Sequence, residues 1–196
     1  DNVMDAVNAL HQHLQLGGRR VTVSTSGVVP RIDDFAKAGL QVNLAVSLHA
    51  VTDELRDVLV PLNRTYPLAE LRRAIQHYLD KTNRKVFYEY VMLNEVNDTP
   101  EQAQRMVEWL PPKLSHVNLI PYNTVPGVKY TCSTLDRVKA FQQRLEAAGF
   151  PVTVRFNMGN DVNAACGQLA SEEARAHVKQ KRRLKPAPTI LDADQR

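Results

Sequence analysis

Val42-Asn43-Leu44-Ala45-Val46-Ser47-Leu48-His49 is the stretch that decides the fold. Val42 to Val46 reads as a strand, and it runs into the polar end Ser47-Leu48-His49. A short helix is predicted next, with Thr52 as its cap and Asp53-Glu54 in its first turn, where carboxylates oppose the helix dipole. A strand that feeds a helix is one βα unit, and the same unit recurs on both sides.

Toward the N-terminus, Val21-Thr22-Val23-Ser24-Thr25-Ser26-Gly27 is a β-branched strand ending in small polar residues. Pro30 can start the helix after it, and Ile32, Phe35 and Ala38 give that helix an apolar face before Gly39. Before this lies a helical pattern of Val3, Val7, Leu10 and Leu14, stopped by Gly17-Gly18. The chain opens inside that pattern and without methionine, so it is read as the later part of a longer protein.

Toward the C-terminus, Pro67 leads a helix bearing Leu68, Leu71, Ile75 and Leu79, and Val86 to Leu93 is the third strand. Thr99-Pro100-Glu101 has the order cap, first-turn proline and acidic first turn, and Ala103, Met106, Val107 and Leu110 complete that helix. His116 to Ile120 is the fourth strand, followed by a helix carrying Leu135, Val138, Phe141 and Leu145. Val152 to Phe156 is the fifth strand. Strands alternating with helices imply an α/β fold with a parallel sheet, arranged as in a barrel.

In such folds ligands meet the carboxyl ends of the strands. Those ends carry Ser24 and Ser26, Ser47 and His49, Asn94, Tyr122 and Asn123, and then the loop Asp161 to Leu169. Cys166 in that loop stands between Ala164-Ala165 and Gly167, so little bulk surrounds its sulfur. A lone cysteine is more often a small buried hydrophobe than a nucleophile. Its place among polar strand ends is what recommends it as a thiolate, the reactive form of the side chain.

Composition narrows the rest. A hydrophobic share of 43% and a charged share of 23% are those of an ordinary globular protein, and no apolar run approaches a membrane span. Two cysteines, Cys132 and Cys166, make no disulfide framework, so a reducing, cytoplasmic setting is expected. Neither belongs to a CxxC pair, so no metal site is expected from this chain alone. Residues 171–196 hold seven Lys/Arg against four Asp/Glu, which is three of the net +4. The basic residues Lys179, Lys181, Arg182, Arg183 and Lys185 lie there, suited to phosphate or simply to the end of a solvated helix. Two regions are therefore expected: a barrel part over 1–170 and a basic helix and tail over 171–196.

Several stretches, taken together and in order, resemble one family. They are Val23-Ser24-Thr25-Ser26-Gly27-Val28-Val29-Pro30, Ala45-Val46-Ser47-Leu48-His49-Ala50, Asp53-Glu54-Leu55-Arg56 and Val60-Pro61-Leu62-Asn63. Further along come Glu89-Tyr90-Val91-Met92-Leu93, Val96-Asn97-Asp98, Val117-Asn118-Leu119-Ile120-Pro121-Tyr122-Asn123 and Ala164 to Leu169. The collinear set resembles the radical S-adenosylmethionine (SAM) RNA methyltransferases that modify carbon 2 of adenine, the RlmN type. The resemblance implies a partial (β/α) barrel of the radical SAM type. Its cofactors would be SAM and a 4Fe-4S cluster held by a three-cysteine motif upstream of this chain.

Matched position by position, Ser24, Ser47, Leu48, His49 and Asn123 are implied to line the SAM pocket, and Cys166 to be the cysteine that carries the methyl group. Carbon 2 of adenine has no lone pair and cannot attack a methyl sulfonium, whereas a thiolate can. The resemblance further implies hydrogen abstraction from that methyl group and release of the product by a second, upstream cysteine through a disulfide. Cys132 matches no family position and is expected to be incidental. Partners implied are 23S ribosomal RNA and, in some members, transfer RNA beside the anticodon, with the target base turned out of its stack. No membrane partner is expected, and the enzyme is expected to be a monomer.

Met158-Gly159 stands where many members have Arg-Gly, and a related branch methylates carbon 8 of the same adenine. A non-catalytic RNA-binding remnant is the reading from another class, to be preferred if no three-cysteine motif lies upstream. A barrel enzyme with ordinary polar chemistry at Ser47 and His49 is the third. It would keep its activity without iron or SAM.

Overall fold

The computed structural model describes residues 2–13, 17–124 and 127–155. Cys166, the expected boundary at 170/171 and the basic tail lie outside the described residues. The helices are α1 (Asn2–His13), α2 (Val29–Lys37), α3 (Asp53–Leu59), α4 (Leu68–Thr82), α5 (Pro100–Trp109) and α6 (Leu135–Ala147). The strands are β1 (Thr22–Thr25), β2 (Asn43–Ser47), β3 (Val86–Met92), β4 (Ser115–Pro121) and β5 (Val152–Val154). Single 3₁₀ turns lie at Gly18–Arg20 and Pro61–Arg64.

All five strands pair in parallel and in chain order, β1-β2-β3-β4-β5. Parallel neighbours need a crossover between them, and crossovers of one hand put every connecting helix on the same side. The core shows that side. Leu44, Val46 and Leu48 from the second unit and Val86, Tyr88, Tyr90 and Met92 from the third pack with Ile32, Ile75, Met106 and Phe141 of four helices in one cluster. The sheet is not closed, since β1 and β5 stand at opposite ends, and the fold is a partial (β/α) barrel.

Local chemistry explains the element ends. The Thr52 hydroxyl accepts from Leu55 N at 3.4 Å and that of Thr99 from Gln102 N at 3.4 Å, the two caps expected from the sequence. β1 is shorter than the predicted Val21–Gly27 run. Thr25 Oγ1 accepts from the N–H groups of Gly27 (3.1 Å) and Val28 (3.3 Å), which turns the chain into α2 instead of extending the strand. Three positions predicted to be on apolar faces are solvent-facing: Val3 is 50% and Leu135 61% exposed, and Ala38, just past the end of α2, is exposed. Leu135 is the first residue of α6, and the core contacts of that helix are made by Val138, Phe141 and Leu145. No helix among the described residues is long and apolar enough to cross a membrane.

Candidate functional site

Alternation along a strand decides which side chains meet a ligand. In β2 the residues of one parity lie in the helix-side core, so Asn43, Ala45 and Ser47 stand on the helix-free face. Register carries this across the sheet. Ser24 pairs with Ala45, Ala45 with Phe87 and Phe87 with His116, one row of that face. The next row toward the carboxyl ends is polar throughout: Ser47, Glu89, Asn118 and Thr153. Within it Asn118 Nδ2 donates to Glu89 Oε1 at 2.7 Å, and Asn118 is only 2% exposed. His116 Nε2 lies 2.9 Å from the Thr153 hydroxyl, and its ring is 5.3 Å from that of Phe87.

Beyond Ser47 the chain leaves the sheet, and His49 takes a left-handed backbone conformation (φ 59°). Its ring replaces the missing strand partner: Val91 N donates to His49 Nδ1 at 3.1 Å. Asn97, fully buried, completes the repair. Its Nδ2 donates to the carbonyls of His49 (2.9 Å) and Val91 (2.7 Å), and its Oδ1 accepts from Leu93 N at 2.7 Å. Burial, assisted by the Arg56 charge, pushes the His49 pKa down to about 4. An imidazole that is neutral and accepts at Nδ1 carries its proton on Nε2. His49 is therefore a neutral donor at the end of β2.

Arg56 holds these strand ends together. It is 1% exposed; its Nε donates to Leu48 O (3.1 Å), Nη2 to Ser26 O (2.8 Å) and Ser47 O (3.1 Å), and Nη1 to Asn63 Oδ1 (3.0 Å). Asn63 in turn donates to Asp53 Oδ1 and Asp57 Oδ1, both at 2.8 Å, and Asp53 Oδ1 also accepts from Leu68 N at the start of α4. Gly27 is required beside this clasp. Its φ is +108°, and a Cβ there would stand 3.2 Å from Arg56 Nη2.

Ser24, half a turn of the pleat from the core, is exposed on the helix-free face, while Ser47 and His49 are half-buried. Asn123, two residues past β4, is half-buried at the same end of the sheet. Leu48 differs from the other expected pocket residues. Its side chain is fully buried in the helix-side core, its N–H donates to Glu89 O at 3.0 Å and its carbonyl is taken by Arg56. Leu48 is a spacer that sets Ser47 and His49 apart, and the parity of Leu44, Val46 and Leu48 already carries that signal. In the sequence, Arg56, Asn97, Glu89 and Asn118 stand out only as parts of motifs. A charged residue at an inward-facing strand position was the available sign for Glu89.

Cys132 is an exposed free cysteine whose residue neighbour Leu93 forms an isolated antiparallel bridge with it, and burial of the sulfur pushes its thiol pKa up. That is the opposite of an activated thiol. A nucleoside cation such as SAM suits the polar row, the neutral His49 donor and the Glu89 carboxylate. An iron–sulfur cluster does not find ligands here: two cysteines cannot make a three-cysteine motif, and among the described residues no group of three His, Cys, Asp or Glu could hold a metal.

The sequence profile of the radical SAM superfamily matches residues 1–110. A protein of Caldanaerobacter subterraneus subsp. tengcongensis named "Probable dual-specificity RNA methyltransferase RlmN" is 45% identical over 171 residues, covering 86% of this chain and 50% of that protein. One of the same name from Streptococcus thermophilus is 48% identical over 176 residues, covering 87% of this chain and 45% of its own. The chain thus spans about half the length of these relatives. Among solved structures, a radical SAM methyltransferase from Sphaerobacter thermophilus matches with a TM-score of 0.79 at 47% identity, over 85% of this chain and 49% of that one. A domain of pyruvate-formate lyase-activating enzyme from Bacteroides vulgatus matches with a TM-score of 0.58 at 16% identity, over 79% of this chain and 91% of that one, a likeness of fold alone. The chain belongs to the radical SAM superfamily and, within it, is similar to the RlmN-named proteins.

Proposed function

We propose that this chain is the substrate-facing part of a SAM-dependent enzyme that methylates carbon 2 of adenine in 23S ribosomal RNA, and in transfer RNA beside the anticodon. The observation that carries the reading is identity of 45–48% to RlmN-named proteins over 86–87% of the chain. The polar row and the neutral His49 support it independently, because a nucleoside cofactor needs donors and acceptors at fixed places.

In this reading Ser24, Ser47, His49 and Asn123 bind SAM at the carboxyl ends of the strands. Leu48 contributes only through its spacing. His49 offers Nε2–H to an acceptor oxygen of the cofactor, and its neutral state avoids placing a cation beside the sulfonium. Cys166 is the methyl acceptor. Its thiol loses a proton to solvent, a bond forms between its sulfur and the methyl carbon, and the bond from that carbon to the sulfonium sulfur breaks. S-adenosylhomocysteine leaves, and the methyl group rests on the protein until it is passed to the base. A 4Fe-4S cluster, bound by residues outside this chain, supplies the electron for radical generation. The basic residues of the tail meet RNA phosphates.

Replacing Cys166 with alanine in the full-length protein tests this role. Methyl transfer to RNA is expected to vanish while SAM binding stays within about twofold, since only the acceptor is lost. Retained turnover would remove Cys166 from the mechanism.

A further inference from the structure

The polar row on the helix-free face contains a charge that the hydrogen bonds above leave half answered. Glu89 sits in the middle of β3, a strand whose alternate residues Tyr88 and Tyr90 are fully buried among the helices. Its own side chain faces the other way and is half-buried. The partner of its carboxylate among the described residues is Asn118, which donates to Oε1 alone.

Among the described residues, the register row of that carboxylate is otherwise uncharged. Ser47 on one side and Asn118 and Thr153 on the other share its register row. Ala45, Phe87 and His116 form the row below, and burial and the nearby charges of Lys85 and Arg155 hold His116 toward its neutral form, while the Glu89 carboxylate pulls weakly the other way. Neither cation forms an ion pair with Glu89. A carboxylate has two oxygens with several acceptor sites, and one amide donor on Oε1 leaves acceptor capacity for a ligand.

We propose that Glu89 is a binding residue for the sulfonium cation of SAM, read from its place beside Ser47 and, among the described residues, its single amide partner and the absence of a paired base. The inference rests on the cofactor reading of this face given above. Nucleoside chemistry offers a direct comparison. SAM and S-adenosylhomocysteine share adenine, ribose, carboxylate and amine, and differ by one methyl group and the positive charge on sulfur. A carboxylate aimed at the sulfonium must discriminate between them. One aimed at a ribose hydroxyl must not.

The experiment is equilibrium binding of both ligands to the full-length enzyme without reductant, for the wild type, Glu89→Gln and Glu89→Asp. Glutamine still offers an oxygen to Asn118, so the sheet keeps its hydrogen bond while the charge is gone. Glu89→Gln is expected to weaken SAM by about tenfold and to leave S-adenosylhomocysteine within about twofold. Glu89→Asp, which keeps the charge, should retain most of the preference. On the wild type alone, sinefungin, whose ammonium replaces the sulfonium, should bind more tightly than S-adenosylhomocysteine; this arm stands even if the variants fail to fold. Equal weakening of both ligands, no change in either, or no preference of the wild type for the cations would overturn the assignment. A wild type that binds neither ligand would instead overturn the cofactor reading itself, and this inference with it.

Discussion

His49 shows how one side chain can serve the fold and the site together. Its Nδ1 takes the Val91 N–H that no neighbouring strand reaches, which leaves only Nε2 to face a ligand. The pH dependence follows from its lowered pKa, about 4 against an ordinary 6.5. An unfolded chain binds a proton at this histidine below about 6.5 and the folded one only below about 4. The stabilisation is therefore complete above about pH 6.5 and is lost as the pH falls toward 4. The loss amounts to about 2–3 kcal/mol over that window. Denaturant midpoints measured from pH 7 to pH 4 on the full-length protein should show this fall. His49→Gln, which does not titrate there, should flatten it; an unchanged slope in that variant would assign the fall to other groups. The sequence offers His49 as a polar strand end and, through the resemblance, as a pocket residue, but its bond to Val91 N and its lowered pKa are not legible there. The ring finds its role only because Val91, 42 residues away, arrives with an unpaired N–H.

At the scale of elements, strands and helices were readable because their signals are local. Thr52 and Thr99 cap α3 and α5 as their spacing to acidic first turns predicts, and the alternation of Tyr88, Tyr90 and Met92 marks the buried side of β3. The clasp that joins those elements was not readable. Arg56 lies in a seven-residue helix with no long apolar stripe, and its acceptors are backbone carbonyls 8, 9 and 30 residues away in sequence. A carbonyl has no letter of its own in a sequence, so such a partner leaves no trace there. The clasp also explains why Gly27 stands where it does, since a side chain would press on the guanidinium. Burial alone draws the Arg56 pKa down, and the charges of Asp53 and Asp57 work against that. Arg56→Met would leave the carbonyls of Ser26, Ser47 and Leu48 without this donor. The expected cost is about 3–5 kcal/mol in chemical denaturation. A cost below about 1 kcal/mol would mean that water replaces the guanidinium and that the clasp does not hold the strand ends.

Across the whole molecule, the sheet carries polar side chains on the helix-free face and the core on the other, so the cofactor reading and the fold come from the same alternation. Periodicity alone leads to a parallel βα enzyme with polar strand ends, and the ordered motifs add the reaction. What periodicity in this chain cannot reach is the half of those relatives that the chain does not span. The product separates the readings that share this scaffold. Full-length enzyme, SAM labelled in the methyl group and 23S ribosomal RNA lacking the modification should be incubated under reducing, oxygen-free conditions, and the RNA digested to nucleosides for mass spectrometry. The account predicts label in 2-methyladenosine. Label in 8-methyladenosine, or no labelled adenosine from an enzyme that binds SAM and carries its cluster, would contradict it.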